Sequence, residues 1–212
     1  ASALASSPPP LRVGAVDERV DQRVLVHPRS AEEGEDVPRH AIQMAPAMWG
    51  LVPSWWKKPL SEKKFSTFNA RSEGLEASNT FRGPFRHHRC LVPASGFYEW
   101  TGPKGKKQPF AIGLRNRRWF CFAGLWDRAM IDGSEIDTFT ILTTKPNDLM
   151  AGLHTRMPVI LHPSDYRTWL DADNRKVEHL YEPFPTEDMH AWPVNPAVGN
   201  VRNQGVQLIE ET

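Results

Sequence analysis

The stretch Arg89-Cys-Leu-Val-Pro-Ala-Ser-Gly-Phe-Tyr-Glu-Trp100 decides the fold. Its first part, residues 90–93, is continuously apolar and is typical of a buried strand. The small residues Ser95-Gly96 predict a bend in the backbone. Residues 97–100 then return as a second short strand. The stretch therefore predicts two consecutive strands that bury apolar side chains.

Glu99 stands out because it is a carboxylate among three aromatic side chains. An ionised carboxylate in apolar surroundings is costly unless it is paired. Burial would raise its pKa toward neutrality and suit the group to proton transfer. The alternative is that Glu99 ends its strand with the carboxylate in water.

Length and composition limit the possible classes of protein. The 212 residues suffice for one large domain or two small ones, and the absence of a linker-like segment favours one domain. Charged residues at 24% and hydrophobic residues at 40% are typical of a globular protein. No apolar run is long enough for a membrane span, and residues 1–10 lack the pattern of a signal peptide. We expect no membrane association and a disordered, Pro-rich start.

The two cysteines, Cys90 and Cys121, lie far apart in apolar, strand-like runs. They are expected to be buried thiols in a reducing compartment, not a disulfide. No Cys-x-x-Cys, P-loop, dinucleotide-binding or zinc-protease motif is present. We therefore expect no metal and no cofactor.

The remaining segments alternate short apolar runs with Gly- and Pro-rich loops. Helices are predicted at residues 73–85, 147–153 and 164–170, and a polar loop at residues 128–136. Strands are predicted at residues 23–27, 42–53, 108–114, 118–125, 139–144, 159–161 and 189–194. This pattern predicts an α+β fold, in which a curved, mostly antiparallel, β-barrel-like core carries peripheral helices.

Basic residues cluster between positions 57 and 107, although the net charge is only +1. Several of the eight tryptophans lie beside them, including Trp55 and Trp56, which precede Lys57 and Lys58. Cationic side chains beside aromatic rings are typical of a groove for single-stranded nucleic acid. The alternative is a solvated surface around a Trp-rich core.

Polar residues inside apolar segments mark a candidate site. Asn69 and Arg71 point the same way on an extended backbone and suit a phosphate and a sugar or base edge; the alternative is a helix N-terminus. His154 and Arg156 have the same spacing. If Glu99 and His154 share a pocket, they form a proton-transfer pair that titrates near neutral pH.

Several segments together resemble one family. They are Trp49-Gly-Leu-Val-Pro-Ser-Trp55, Asn69-Ala-Arg-Ser-Glu73, Arg89–Trp100, Gln108-Pro-Phe110, Ala123-Gly-Leu-Trp126, Phe139-Thr-Ile-Leu-Thr-Thr144, His154-Thr-Arg-Met-Pro158 and Val198-Gly-Asn-Val-Arg-Asn203. In this order they are similar to the SOS response-associated peptidase family, the abasic-site processing proteins. The resemblance covers residues 44–209.

The resemblance implies residues 41–212 as one domain, after an atypical, partly disordered segment 1–40. It implies a monomer that binds single-stranded DNA containing abasic sites, in the cytoplasm of a bacterium or the nucleus of a eukaryote. In the family, an amino-terminal Cys exposed by Met removal forms a Schiff base with the opened abasic sugar and then a thiazolidine. The implied catalytic residues are Asn69, Glu99 and His154, and the implied DNA contacts are Trp55, Trp56, Arg71 and Arg156.

The chain departs from the family at its beginning. The family starts Met-Cys-Gly-Arg, whereas this sequence starts Ala-Ser-Ala-Leu. Cys90 and Cys121 are no substitute, because a thiazolidine needs amine and thiol on one residue. Either the native head is absent from this chain or this member has lost the nucleophile; the retained catalytic side chains favour the first. The alternatives are a non-catalytic DNA-binding module and, less favoured, a protease that uses one of the two thiols.

Overall fold

The structure is a computed structural model that describes residues 12–13, 22–28, 41–200, 202–203 and 205–212, with only the backbone described for residues 12–13 and 22–25. The disorder expected for residues 1–10 lies outside this part of the chain. Two β-sheets dominate the described residues.

Twelve strands and three short α-helices follow one another along the described chain. The strands are β1 (Arg12–Val13), β2 (Gln22–Pro28), β3 (Ile42–Trp49), β4 (Asn69–Arg71), β5 (Arg89–Ala94), β6 (Phe97–Thr101), β7 (Gln108–Leu114), β8 (Phe120–Ile131), β9 (Ser134–Thr144), β10 (Met157–Pro158), β11 (Ile160–Leu161) and β12 (Met189–Pro193). The helices are α1 (Arg82–His87), α2 (Asp148–Ala151) and α3 (Tyr166–Leu170). Single 3-10 turns complete the connections.

The larger sheet closes on itself as a mixed barrel. Strand β9 pairs with β3, β3 with β2, β2 with β5, β5 with β8, and β8 again with β9. The β3–β9 pairing is parallel and the other four are antiparallel. Strands β4 and β10 pair with the far end of β9, and β11 pairs with β8. The predicted α+β class with a barrel-like core is confirmed.

The second sheet is antiparallel, in the order β1-β6-β7-β12. Its apolar side chains, such as Phe97 and Ile112, form one core with Phe122 and Ile141 of the barrel. The segment that decides the fold therefore joins the two sheets, because β5 belongs to the barrel and β6 to the second sheet. Gly96 lies at this junction, where a Cβ atom would come within 2.8 Å of the Ile112 carbonyl oxygen.

Two secondary-structure predictions were wrong. The loop predicted at residues 128–136 is a tight hairpin, in which β8 and β9 extend to either side of Asp132-Gly133. Both turn residues have positive φ, 48° and 82°, as an Asp-Gly hairpin turn requires. The helix predicted at residues 73–85 is limited to α1, since Gly74 adopts φ +88° and turns lead up to residue 81. None of the helices described has the length and apolar run that a bilayer crossing requires.

Candidate functional site

Glu99 is buried in β6, opposite Phe110 of β7. Burial raises the pKa of its carboxyl group to about 7, although the nearby charges of His154 and Lys107 and a hydrogen bond from the Trp100 backbone oppose the shift. The group is therefore partly protonated at neutral pH and suited to donating and accepting a proton. Of the two alternatives for Glu99, the structure supports the buried carboxyl group.

His154 follows α2, and its Nδ1 lies 3.8 Å from the Glu99 Oε1 atom. The same nitrogen lies 2.9 Å from the Arg156 carbonyl oxygen and 3.1 Å from the Arg156 backbone nitrogen. When Nδ1 is unprotonated, it accepts from the Arg156 N–H; when it is protonated, it donates to the carbonyl oxygen. The turn at residues 154–156 can therefore hold either tautomer of the imidazole.

Arg156 links this turn to the segment after β4 and to β9. Its guanidinium donates to both carboxylate oxygens of Glu73, at 2.8 and 2.7 Å, and to the Thr143 carbonyl oxygen. The hydrogen bonds from Arg156 lower the pKa of Glu73 to about 2. Sequence analysis did not single out Glu73, because no local pattern connects it with a residue 83 positions away.

Asn69 and Arg71 lie at the ends of the three-residue strand β4, with Ala70 buried between them. Arg71 is opposite Thr143, and Pro158 pairs with Thr143 from the other edge of β9. This pairing brings β4 and the segment after His154 to the same end of β9. The Asn69 Oδ1 atom is buried and has no hydrogen-bond partner among the described residues. Such an orphaned acceptor fits an external N–H or O–H donor.

The structure therefore places Glu99 and His154 3.8 Å apart, and it places Asn69 and Arg71 on β4, at the end of β9 that also pairs with Pro158. Their catalytic and DNA-binding roles remain predictions.

Trp55 and Trp56 lie in the loop after β3. Trp55 is 54% exposed, whereas Trp56 is partly buried and packs edge-on against Phe65. The loop is attached to the barrel by the Ser54 N–H, which donates to the Asp127 carboxylate at 2.8 Å. Trp55 is thus the ring that is available for stacking.

Strand β1 runs along β6 toward the same site. Arg12 is opposite Tyr98 and Val13 is opposite Phe97, in antiparallel register. The N-terminal end of β1 therefore points along β6 toward Glu99.

The two thiols lack the surroundings of an activated nucleophile. Burial raises the pKa of Cys90 well above its ordinary value, and burial also raises that of Cys121. Both cysteines are free. No group of three or more His, Cys, Asp or Glu side chains in the described ranges could hold a metal ion.

Comparison with known proteins agrees with the motifs. Residues 16–201 match the SOS response associated peptidase (SRAP) family. The chain is 39% identical over 168 residues to abasic site processing protein YoqW of Bacillus subtilis (strain 168). That alignment covers 76% of this chain and 74% of YoqW. It is 30% identical over 173 residues to abasic site processing protein YedK of Escherichia coli (strain K12). That alignment covers 80% of this chain and 75% of YedK.

A solved structure shares the fold. The crystal structure of a protein from Bacteroides thetaiotaomicron superimposes with a TM-score of 0.74 and 28% sequence identity, covering 88% of this chain and 80% of the other. The family match, the two relatives and the shared fold agree, and the chain belongs to the SOS response associated peptidase family.

Proposed function

We propose that this protein binds single-stranded DNA at an abasic site and, in a form with an amino-terminal Cys, becomes covalently linked to the lesion. The observation that carries the proposal is the Glu99–His154 pair: a buried carboxyl group with a pKa of about 7, 3.8 Å from an imidazole. The direction of β1 supports it, because β1 is antiparallel to β6 and its N-terminal end is the end toward Glu99. The names of the relatives YoqW and YedK support the substrate class.

The covalent step needs both an acid and a base. The neutral α-amine attacks the aldehyde carbon of the ring-opened sugar and forms a carbinolamine. Glu99 in its acid form donates a proton to the hydroxyl group, which leaves as water and gives an iminium ion. The ionised Glu99 then takes the proton of the thiol. The resulting thiolate adds to that carbon, and the C=N electron pair moves to nitrogen. The net change is the loss of one water, and a thiazolidine results.

The other predicted residues have separate tasks in this proposal. Asn69 accepts a hydrogen bond from the amine or the opened sugar through its orphaned Oδ1. His154 assists ring opening and reversal of the crosslink. The exposed Arg71 contacts a flanking phosphate, and the exposed ring of Trp55 stacks on a base.

The test uses a variant whose chain begins with Cys-Gly directly before Arg12. In the register of β1 and β6, the added Gly would be opposite Glu99 and the added Cys opposite Trp100. Incubation with abasic single-stranded DNA should give a heat-stable crosslink on a denaturing gel. A matched Ser-Gly variant lacks the thiol and should give a linkage only after borohydride reduction of the imine. If the Cys variant binds abasic DNA without any covalent product, the protein is a non-catalytic DNA-binding module and the proposed chemistry is wrong.

A further inference from the structure

The connection between β7 and β8 forms a basic surface patch that the proposed reaction does not use. Its five residues, Arg115-Asn-Arg-Arg-Trp119, are all exposed, and we call them the arginine loop. The loop begins directly after the buried Leu114 and ends directly before the buried Phe120. Its position is therefore fixed at both ends, by the second sheet and by the barrel.

The three arginines of this loop have no carboxylate partner. Arg115, Arg117 and Arg118 make no side-chain hydrogen bond and no ion pair within the described part of the chain. Asp188 is the acidic residue at the start of the loop, because its carbonyl oxygen accepts from the Arg115 backbone N–H at 2.9 Å. Its carboxylate pairs with none of the three guanidinium groups. Three unpaired guanidinium groups within four residues make a concentrated positive charge.

The loop lies near both β12 and α3. Burial lowers the pKa of His190 on β12, and the charge of Arg115 lowers it further. Burial raises the pKa of Tyr166 on α3, whereas the charge of Arg117 opposes that shift. Arg167, which follows Tyr166, is also exposed. The positive surface therefore extends from the loop toward α3.

Trp119 adds an apolar surface to these charges. Its side chain is 55% exposed and belongs to none of the hydrophobic clusters of the described residues. The next side chain, Phe120, is instead 3% exposed and packs edge-on against Phe122. The indole of Trp119 is therefore free to be buried against a partner. Tryptophan and arginine are the residue types that are enriched where proteins bind one another.

The chemistry of the loop indicates its partner. A guanidinium group can donate two parallel hydrogen bonds to one carboxylate, and arginine clusters recognise acidic segments in this way. An apolar side chain next to those carboxylates would cover Trp119. We propose that the arginine loop binds a short acidic segment of a partner protein that also carries an aromatic or large aliphatic side chain. This binding does not depend on the crosslinking chemistry.

Two features favour an acidic peptide over a DNA strand. Neither of the two open cavities that the described residues form, one beside α1 and one at residues 195–212, has a residue of the arginine loop in its lining. The loop therefore lacks the groove in which a single strand is usually held. Arg115 also lies five residues along β7 from Phe110, the partner of Glu99, which is about 17 Å. The loop is thus outside the proposed lesion site.

The experiment measures, by fluorescence anisotropy, the binding of the labelled peptide Asp-Glu-Asp-Glu-Leu-Phe to the full chain. The parent should bind it at least about tenfold more tightly than Asn-Gln-Asn-Gln-Leu-Phe, because the carboxylates are lost from the second peptide. It should also prefer it to Asp-Glu-Asp-Glu-Ser-Gly, which lacks the apolar side chains. Absence of either preference would show that the proposed partner chemistry is wrong.

Matched variants locate the binding surface. Arg117→Ala should weaken binding of the acidic peptide by about threefold or more. Arg82→Ala should bind like the parent, because it removes an equally exposed and unpaired arginine from α1. Trp119→Ala should lose the preference for Leu-Phe, whereas Trp55→Ala, which removes a ring that is 54% exposed, should keep it. Equal peptide affinities of Arg117→Ala and Arg82→Ala would overturn the arginine loop as the docking surface.

Two further measurements separate the other possible occupants. If Arg117→Ala weakens binding of abasic single-stranded DNA and leaves peptide binding intact, the loop is a DNA contact and the proposal is wrong. Sedimentation of the parent and of Arg117→Ala tests a second copy of this chain, whose stretch Glu32-Glu-Gly-Glu-Asp36 is acidic. Self-association of the parent that Arg117→Ala abolishes would assign the loop to that copy instead of a partner protein.

Discussion

Glu73 and Arg156 form a two-pronged ion pair, with Nη1 2.8 Å from Oε1 and Nη2 2.7 Å from Oε2. The backbone nitrogen and the carbonyl oxygen of Arg156 both lie within hydrogen-bond distance of His154 Nδ1. A carboxylate on the segment after β4 is therefore connected, through a single residue, to the imidazole that faces Glu99.

In the Cys-Gly background, Glu73→Ala should slow crosslinking at saturating DNA several-fold, because the turn that holds His154 loses its anchor. The affinity for DNA should be equal or higher, because a freed guanidinium can bind phosphate. Single-turnover rates and binding isotherms separate these effects. Since Glu73 is exposed, the stability loss should stay below about 1 kcal/mol. Glu76→Ala, which breaks the exposed Arg86 pair, is the control; equal slowing in both variants would rule out the positioning role.

The raised pKa of Glu99 makes stability depend on pH. Its folded pKa is about 7, above the ordinary value of 4.5, so the folded protein binds more protons than the unfolded chain between these values. Its contribution to the free energy of unfolding is therefore fully present below about pH 4.5 and is lost as the pH rises through about 7.

Glu99→Gln removes this pH dependence. The variant should be more stable than the parent at about pH 8, by at most a few kcal/mol, and the difference should shrink toward pH 5. Urea unfolding at several pH values measures it. A constant difference across that range would contradict a perturbed carboxyl group at position 99. In the Cys-Gly background, the same substitution should slow crosslinking while sparing DNA affinity.

Asn69→Leu tests the orphaned Oδ1 atom. An unpaired buried acceptor costs about 1–3 kcal/mol, so an apolar side chain of similar size should leave stability unchanged or raise it. In the Cys-Gly background, the crosslinking rate should fall by about tenfold or more, because the hydrogen bond to the amine or sugar is lost. Thermal unfolding and gel-based rates give the two readouts. A large loss of stability would mean that Asn69 holds the fold together instead.

Gly96→Ala tests the junction between the two sheets. The added Cβ would lie 2.8 Å from the Ile112 carbonyl oxygen, so β6 must shift at a cost of about 1–3 kcal/mol. Gly199→Ala is the control, because no atom lies within 4 Å of its Cβ position. Chemical unfolding of both variants checks the difference. Unchanged stability of Gly96→Ala would show that the junction relaxes freely.

Local patterns predicted much of this molecule. Apolar runs located most of the strands, and the isolated carboxylate at position 99 and imidazole at position 154 pointed to the pair that the structure brings together. They did not reveal that β5 and β6 enter different sheets, since an apolar run does not specify its partner strand.

Long-range and turn features account for the remaining errors. The ion pair between Glu73 and Arg156 spans 83 positions and left no local pattern. The Asp132-Gly133 turn is visible in the sequence as an Asp-Gly pair, but the polar residues around it favour a loop over a hairpin.

The pairing of β1 with β6 has a consequence for biosynthesis. Residues 12 and 13 find their partners only at residues 98 and 97, so the ribosome must make nearly half of the chain before β1 can dock. Because translation proceeds at about 5–20 residues per second, β1 stays unpaired for several seconds after it is synthesised. During that interval the exposed backbone N–H and C=O groups of Arg12 and Val13 are open to other partners, so the second sheet is completed late in synthesis.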